Sequence, residues 1–282
     1  MSATILPVRQ SIPVDARLRF SGVLRSEWIK LTSLRSTFWS LLTIVLVGIG
    51  VSLILALTME SGGIPDEPSV RFALSIVAIG AAFGQFVAAV LGVLAVSGEY
   101  STKMVQSTLA AVPSRLPVLA AKAMVLFGLV TTVGLVTLFG SWAVTYAMFD
   151  DLGLAVSLTE PGLAGALLGA AVYLGLTAAF ALGVGAILRS AAGGIAAVLG
   201  VLLLLPLGLS LLGNSMEWVA AITPYGFAAA GESMWSVSAP LRAGVSPEPG
   251  APLGPSAAGL VVLAWTTVSL TLGALTLRGR DA

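Results

Sequence analysis

An all-α polytopic membrane protein with six transmembrane helices is the fold class this sequence predicts, and three observations carry the prediction. Of 282 residues 57% are hydrophobic and only 10% charged, with mean hydropathy +1.01, whereas soluble domains carry about a quarter charged residues. Six apolar segments, Phe38–Leu57, Phe72–Val96, Val118–Met148, Gly162–Leu188, Gly194–Gly213 and Ala257–Leu277, each run to 20 residues or more. About 20 residues of helix cross a hydrocarbon core of roughly 30 Å. Third, the charges fall almost wholly outside these segments.

The chain divides into a polar N-terminal segment 1–37, a six-span domain 38–277 and a short tail 278–282. The first apolar run begins near Phe38, behind six basic residues and without a small-residue cleavage site, so no cleavable signal peptide is expected. Arg17–Arg35 reads as an amphipathic helix. Phe20, Val23, Leu24, Trp28, Leu31 and Leu34 cluster within roughly 140° of arc, with Arg19, Arg25, Ser26, Lys30 and Ser33 outside it. Such a helix suits the headgroup layer, although a plain basic flank of the first span reads the same way. Glu27 falls inside the apolar face and calls for a cation, either Lys30 or a basic group elsewhere.

The third apolar segment, 31 residues long, exceeds a perpendicular crossing and must tilt, kink or project into water. Pro206 predicts a kink in the fifth. Glycines at four-residue spacing, Gly80/Gly84 and Gly165/Gly169, permit close helix approach and read as packing. Gln85 is the strongly polar side chain deep in a span, suited to hydrogen bonding between helices. Lys122 and Arg189 lie near span ends and can snorkel.

Charge sets the orientation. With the N-terminus cytoplasmic, Arg9, Arg17, Arg19, Arg25, Lys30, Arg35, Lys103, Arg115, Lys122, Arg189, Arg278 and Arg280 lie inside, which is 12 of the 14 basic residues, and Arg71 and Arg242 outside. Lys and Arg govern topology, so both termini and Ser97–Pro117 are expected in the cytoplasm. Read as a helix, Ser101–Val112 places Met104, Val105, Leu109 and Val112 on one side and Glu99, Lys103, Gln106 and Ala110 on the other. It is either a docking surface or an ordinary solvated loop helix. Across the membrane, loop 214–256 contains two short helical stretches, Met216–Ile222 and Tyr225–Trp235, broken at Pro224, with Trp218, Tyr225, Phe227 and Trp235 suited to an interface. They form either a re-entrant hairpin or a helix pair on the surface. The return, Ser238–Ser256, is proline-rich and irregular.

The composition also excludes chemistry. With no histidine and no cysteine, disulfides, Cys-ligated metals, HExxH zinc sites and histidine triads are ruled out. No GxxxxGK[ST] loop is present, so a nucleotide-driven process needs another chain. No paired carboxylates or clearly buried ionisable groups mark the spans, which disfavours ion coupling and lipid chemistry. The chain is not read as an enzyme.

Several of these stretches carry a resemblance. SEWIKLTSLRSTFWSLL before the first span, GEYSTKMVQSTLAAVPSRLPVLAAKA after the second, and a broken outer segment before the sixth resemble an ABC transporter permease of the type-2 exporter family, in the form bacteria make beside a separate ATPase subunit. The resemblance implies a half-transporter in the bacterial cell membrane. It pairs with a second copy or related permease, with lipids around it and no nucleic-acid partner. It binds no cofactor itself, ATP and Mg being held by a cytoplasmic ABC ATPase subunit. Carried over by position, Arg17–Arg35 with Glu27, Trp28 and Lys30 is the connecting helix, and Glu99, Tyr100, Thr102, Lys103, Met104, Leu109 and Arg115 belong to the ATPase-docking loop, with Lys122 following it. Trp218, Pro224, Tyr225 and Trp235 belong to the outer hairpin. The step after the acidic residue, Ser101-Thr102-Lys103, departs from the His-Gly-Thr or Gly-Thr that family members often have. The competing reading is a membrane anchor or scaffold that recruits a cytoplasmic protein without moving it.

Overall fold

The computed structural model describes residues 19–59, 69–101, 115–237 and 250–279. Among them there is helix and no strand. A short helix α1 (Phe20–Ser33) precedes six apolar spans. The first span is α2 (Arg35–Met59) and the second is α3 (Val70–Val77) continued by α4 (Ile79–Ser101). The third is α5 (Arg115–Asp150) and the fourth α6 (Leu163–Leu188). The fifth joins α7 (Ala191–Leu199), a π turn (Gly200–Leu204) and α8 (Leu205–Gly213). Between α8 and the sixth span, α11 (Pro255–Gly279), lie the short helices α9 (Glu217–Ile222) and α10 (Phe227–Ser233).

The fourth span is the axis of the bundle. Of its most apolar 18 residues 78% are buried, against 11% in the fifth span and 22% in the first and sixth. Lipid tails are as apolar as leucine, so burial alone does not hold such helices together, and close packing must. The sequence of α6 supplies the small residues that permit it. A side chain at Gly175 would strike Thr131 and Phe127 of α5, one at Gly183 would strike Ser269 of α11, and on the facing surface of α4 one at Gly92 would strike the Ala178 carbonyl. Hydroxyls complete the α6–α11 seam. Ser269 Oγ donates to the Phe180 carbonyl at 2.8 Å and Thr266 Oγ1 to the Val262 carbonyl at 2.9 Å, with the Leu176 carbonyl at 3.4 Å.

Of the two expected glycine pairs one member each packs. Gly80 crosses Gly48 so closely that an added methyl would stand 2.9 Å from its Cα, and Gly169 abuts the Met234 carbonyl. Gly84 meets its neighbours at ordinary distance and Gly165 touches nothing.

The long third segment is an unbroken helix of 36 residues, about 54 Å at 1.5 Å per residue. It therefore projects past a roughly 30 Å core. Pro206 sits in the first turn of α8, directly after the π turn, and the Leu205 amide bonds back five residues to the Gly200 carbonyl. The wider turn absorbs the donor that proline lacks, and the helix continues with altered winding. The second span is interrupted at Ala78, where α3 ends.

Candidate functional site

The N-terminal amphipathic helix is shorter than Arg17–Arg35, because Leu34 adopts an extended conformation (φ −78°, ψ 124°) that breaks α1 from α2. Its buried positions, Val23, Glu27 and Leu31, recur every four residues and so share one face. That face lies on the first turns of α5, where Val23 packs with Val118 and Ala121. Trp28, placed with the apolar face in the sequence, lies at its edge and is half exposed, as is Phe20.

Glu27 is fully buried and its two oxygens are divided between two lysines. Oε1 accepts from Lys30 Nζ at 2.7 Å, and Oε2 lies 2.7 Å from Lys122 Nζ on α5. Both cations that the sequence left open are therefore used. Lys122 does not snorkel. Its side chain is 5% exposed, because α1 covers the end of α5 and a buried carboxylate supplies the counter-charge that water otherwise would. Burial by itself pushes the Glu27 carboxyl up. The Lys122 ammonium, and after it Lys30, outweigh burial and hold the carboxyl below its ordinary value of 4.5. The other residue expected to snorkel, Arg189, ends α6 in a left-handed conformation (φ 50°). Its guanidinium donates to the Thr276 carbonyl at 3.0 Å, near the end of α11, where the helix dipole favours a cation.

The segment assigned to ATPase docking adjoins this clasp in sequence. Glu99 and Tyr100 end α4 and Arg115 opens α5, with Pro117 in its first turn. Thr102, Lys103, Met104 and Leu109 lie outside the described residues.

At the opposite end, α9 and α10 are joined by a 3₁₀ turn, Thr223–Tyr225, containing Pro224, as the break predicted. Of the pair, α10 is seated inside the bundle, while α9 leans on the end of α8 with Val219 as its buried side chain. Phe227 is fully buried, stacked on Phe180 at 4.5 Å and beside Tyr173 at 5.7 Å. Trp235 packs on Tyr173 at 5.2 Å. At the tip, the Tyr225 carbonyl accepts from Trp265 Nε1 at 3.0 Å. Trp265 and Tyr173 each lie ten residues into their spans, about 15 Å along the helix, so the hairpin reaches mid-length. Trp218 and the Tyr225 ring face outward. Tyr173, which sequence reasoning did not single out, is the hub: its hydroxyl donates to Gln85 Oε1 at 2.6 Å, the interhelical bond expected of Gln85.

Two concavities lie among the described residues. A cavity of about 240 Å³ inside the hairpin is lined by Thr223, Pro224, Glu232, Ser233, Ser236 and Pro252, among others. An apolar groove of about 380 Å³ runs between the start of α5 and the end of α11. Among the described residues no three metal-ligating side chains converge. Chemically the arrangement offers a polar clasp at one end, an aromatic plug at the other, and a close-packed axis between them.

No protein-family model matches the chain, and no curated protein matches it.

Proposed function

We propose that the chain is the membrane subunit of an ATP-driven exporter in a bacterial cell membrane, with both termini cytoplasmic. Two copies, or this chain and a related permease, form the pathway, and separate ATPase subunits bind ATP and Mg. The observation that supports this most is the convergence of two elements on one helix. The docked helix α1 is clasped to the start of α5 through Glu27 and Lys122, and the 97–117 segment leads directly into the same helix. A push on either is delivered to a continuous rod of 36 residues that runs the length of the bundle. ATP-driven closure of the partner moves the loop, and α5 carries the motion to the hairpin end.

The test is co-purification of the tagged full chain with the product of a neighbouring reading frame that carries a phosphate-binding loop. Joint reconstitution in vesicles should then give ATP hydrolysis stimulated by the membrane subunit and by one of a panel of amphipathic compounds. A stable partner complex whose hydrolysis never responds to the membrane subunit, and which moves no compound, leaves the scaffold reading standing instead.

A further inference from the structure

We infer that the α1–α2 elbow is a binding surface for anionic lipid headgroups, so that the protein selects acidic phospholipids at that end of the bundle and not at the other. The inference rests on the six-span membrane fold and on the charges below, independently of the exporter reading.

The two ends of the bundle carry opposite charge. Among described side chains at the α1 end, Arg19, Arg25, Lys30, Arg35, Lys122 and Arg189 face a single acid, Glu27, which is already occupied by two lysines. Among the described side chains at the hairpin end, Asp150, Asp151, Glu160, Glu217 and Glu232 are accompanied by one basic residue, Arg71. An anionic headgroup gains attraction at the first and meets repulsion at the second.

The elbow adds what a scattered set of charges lacks. Arg19 precedes α1, Arg25 lies within it and Arg35 opens α2, and all three are exposed. Between and beside them the side chains that lipid would cover are also exposed: Trp28 (49%), Leu34 (49%), Phe38 (59%) and Trp39 (63%). Phe38 and Trp39 make an edge-to-face pair with ring centres 5.8 Å apart. Indole and phenyl rings beside guanidinium groups match the boundary between acyl chain and headgroup. Arginine suits phosphate because its fork donates two parallel hydrogen bonds.

The experiment uses the full chain in nanodiscs of phosphatidylcholine with one fifth phosphatidylglycerol, followed by native mass spectrometry of the lipids that stay bound. Phosphatidylglycerol should be retained in excess of its share, and the excess should fall as salt rises. An attraction of the order seen for basic residues near acidic membranes corresponds to about fivefold per charge. Replacing Arg19, Arg25 and Arg35 together by Gln should therefore lower the preference at least tenfold, while Arg71→Gln leaves it unchanged. Thermal unfolding in detergent, unaltered in the triple variant, separates lost selectivity from lost fold. An unchanged lipid ratio in the triple variant overturns the proposal. So does an unchanged ratio accompanied by loss of a soluble partner, which would make the patch a protein interface.

Discussion

Glu27 Oε2 and Lys122 Nζ lie 2.7 Å apart across two helices, both side chains almost completely buried. Such a pair adds little to stability compared with an apolar contact, but removing one partner strands a buried charge at about 3–5 kcal/mol. Glu27→Gln should therefore loosen α1 from α5 without disturbing the spans. Val23 packs on Val118 beneath the clasp, and a chain with no cysteine allows Val23→Cys to report exposure without background. Thiol labelling at that position should accelerate at least a hundredfold in the Glu27→Gln background, and Glu27→Gln with Lys122→Met should recover most of the loss. Labelling at the parental rate in Glu27→Gln would show that the clasp holds nothing.

The same carboxyl should make the docking of α1 pH-dependent. Because the folded carboxyl titrates below its ordinary 4.5, its stabilisation is fully present above that pH and fades as pH falls through the depressed value. Spin labels at the exposed positions Ser26→Cys on α1 and Ala120→Cys on α5 should keep a narrow distance distribution from pH 7 down to the ordinary carboxyl value of 4.5 and broaden only below it. In Glu27→Gln the distribution should no longer depend on pH across this window. A distribution that broadens on approaching pH 6 would assign the transition to another group.

Gly169 and Gly165 lie one turn apart on α6 and are predicted to behave oppositely. A methyl at Gly169 would strike the Met234 carbonyl at the end of α10, while one at Gly165 meets nothing within 4 Å. Backbone yields less than a flexible side chain, so Gly169→Ala should cost about 1–3 kcal/mol as overpacking. Gly165→Ala should be neutral or slightly stabilising, since alanine favours helix. Thermal unfolding in detergent separates the two, and equal midpoints would mean that the hairpin is not seated against α6.

The proposed orientation rests on the 12-to-2 distribution of basic residues. Single cysteines at Ser107 and Ser190 should react with an impermeant maleimide only from the cytoplasm, and those at Ser61 and Ser246 only from outside. Labelling of position 107 in intact cells would invert the topology and remove the docking proposal with it.

Much of the fold was legible because span length and composition are strong signals in a bilayer. The limits of the six apolar runs fall within a few residues of the helices, and the break at Pro224 is a 3₁₀ turn. Glu27 announced itself as a carboxylate on an apolar face, yet its partner on α5 was hidden. A lysine near a helix end usually reaches water, and no local pattern reveals that another helix covers it. Nor could sequence single out Gly92, Gly175 and Gly183 among 32 glycines, since which of them meets a neighbour depends on how the helices cross. Tyr173 was missed for a related reason. A lone tyrosine in an apolar run looks like packing until Gln85, Phe227 and Trp235 are brought around it.

The depth of the hairpin is the remaining prediction, and it decides between insertion and surface adsorption. The Tyr225 carbonyl is bonded to Trp265 Nε1, and Trp265 stands near the middle of a span running from Pro255 to Leu277. The Tyr225 ring itself is 55% exposed, so a label there points away from the packed interior. In an inserted hairpin that label meets acyl chain, with water some 15 Å distant by helix rise. A spin label at Tyr225→Cys should therefore collide readily with dissolved oxygen, which concentrates in hydrocarbon, and rarely with a water-soluble nickel chelate. A label at Glu217→Cys, exposed at the start of α9, should show the reverse. Trp265→Phe removes one hydrogen bond, about 0.5–1.5 kcal/mol, and should shift the Tyr225 label only slightly, since the buried Phe227 still anchors the tip. If the Tyr225 label is as accessible to the nickel chelate as the Glu217 label, the hairpin lies at the membrane surface.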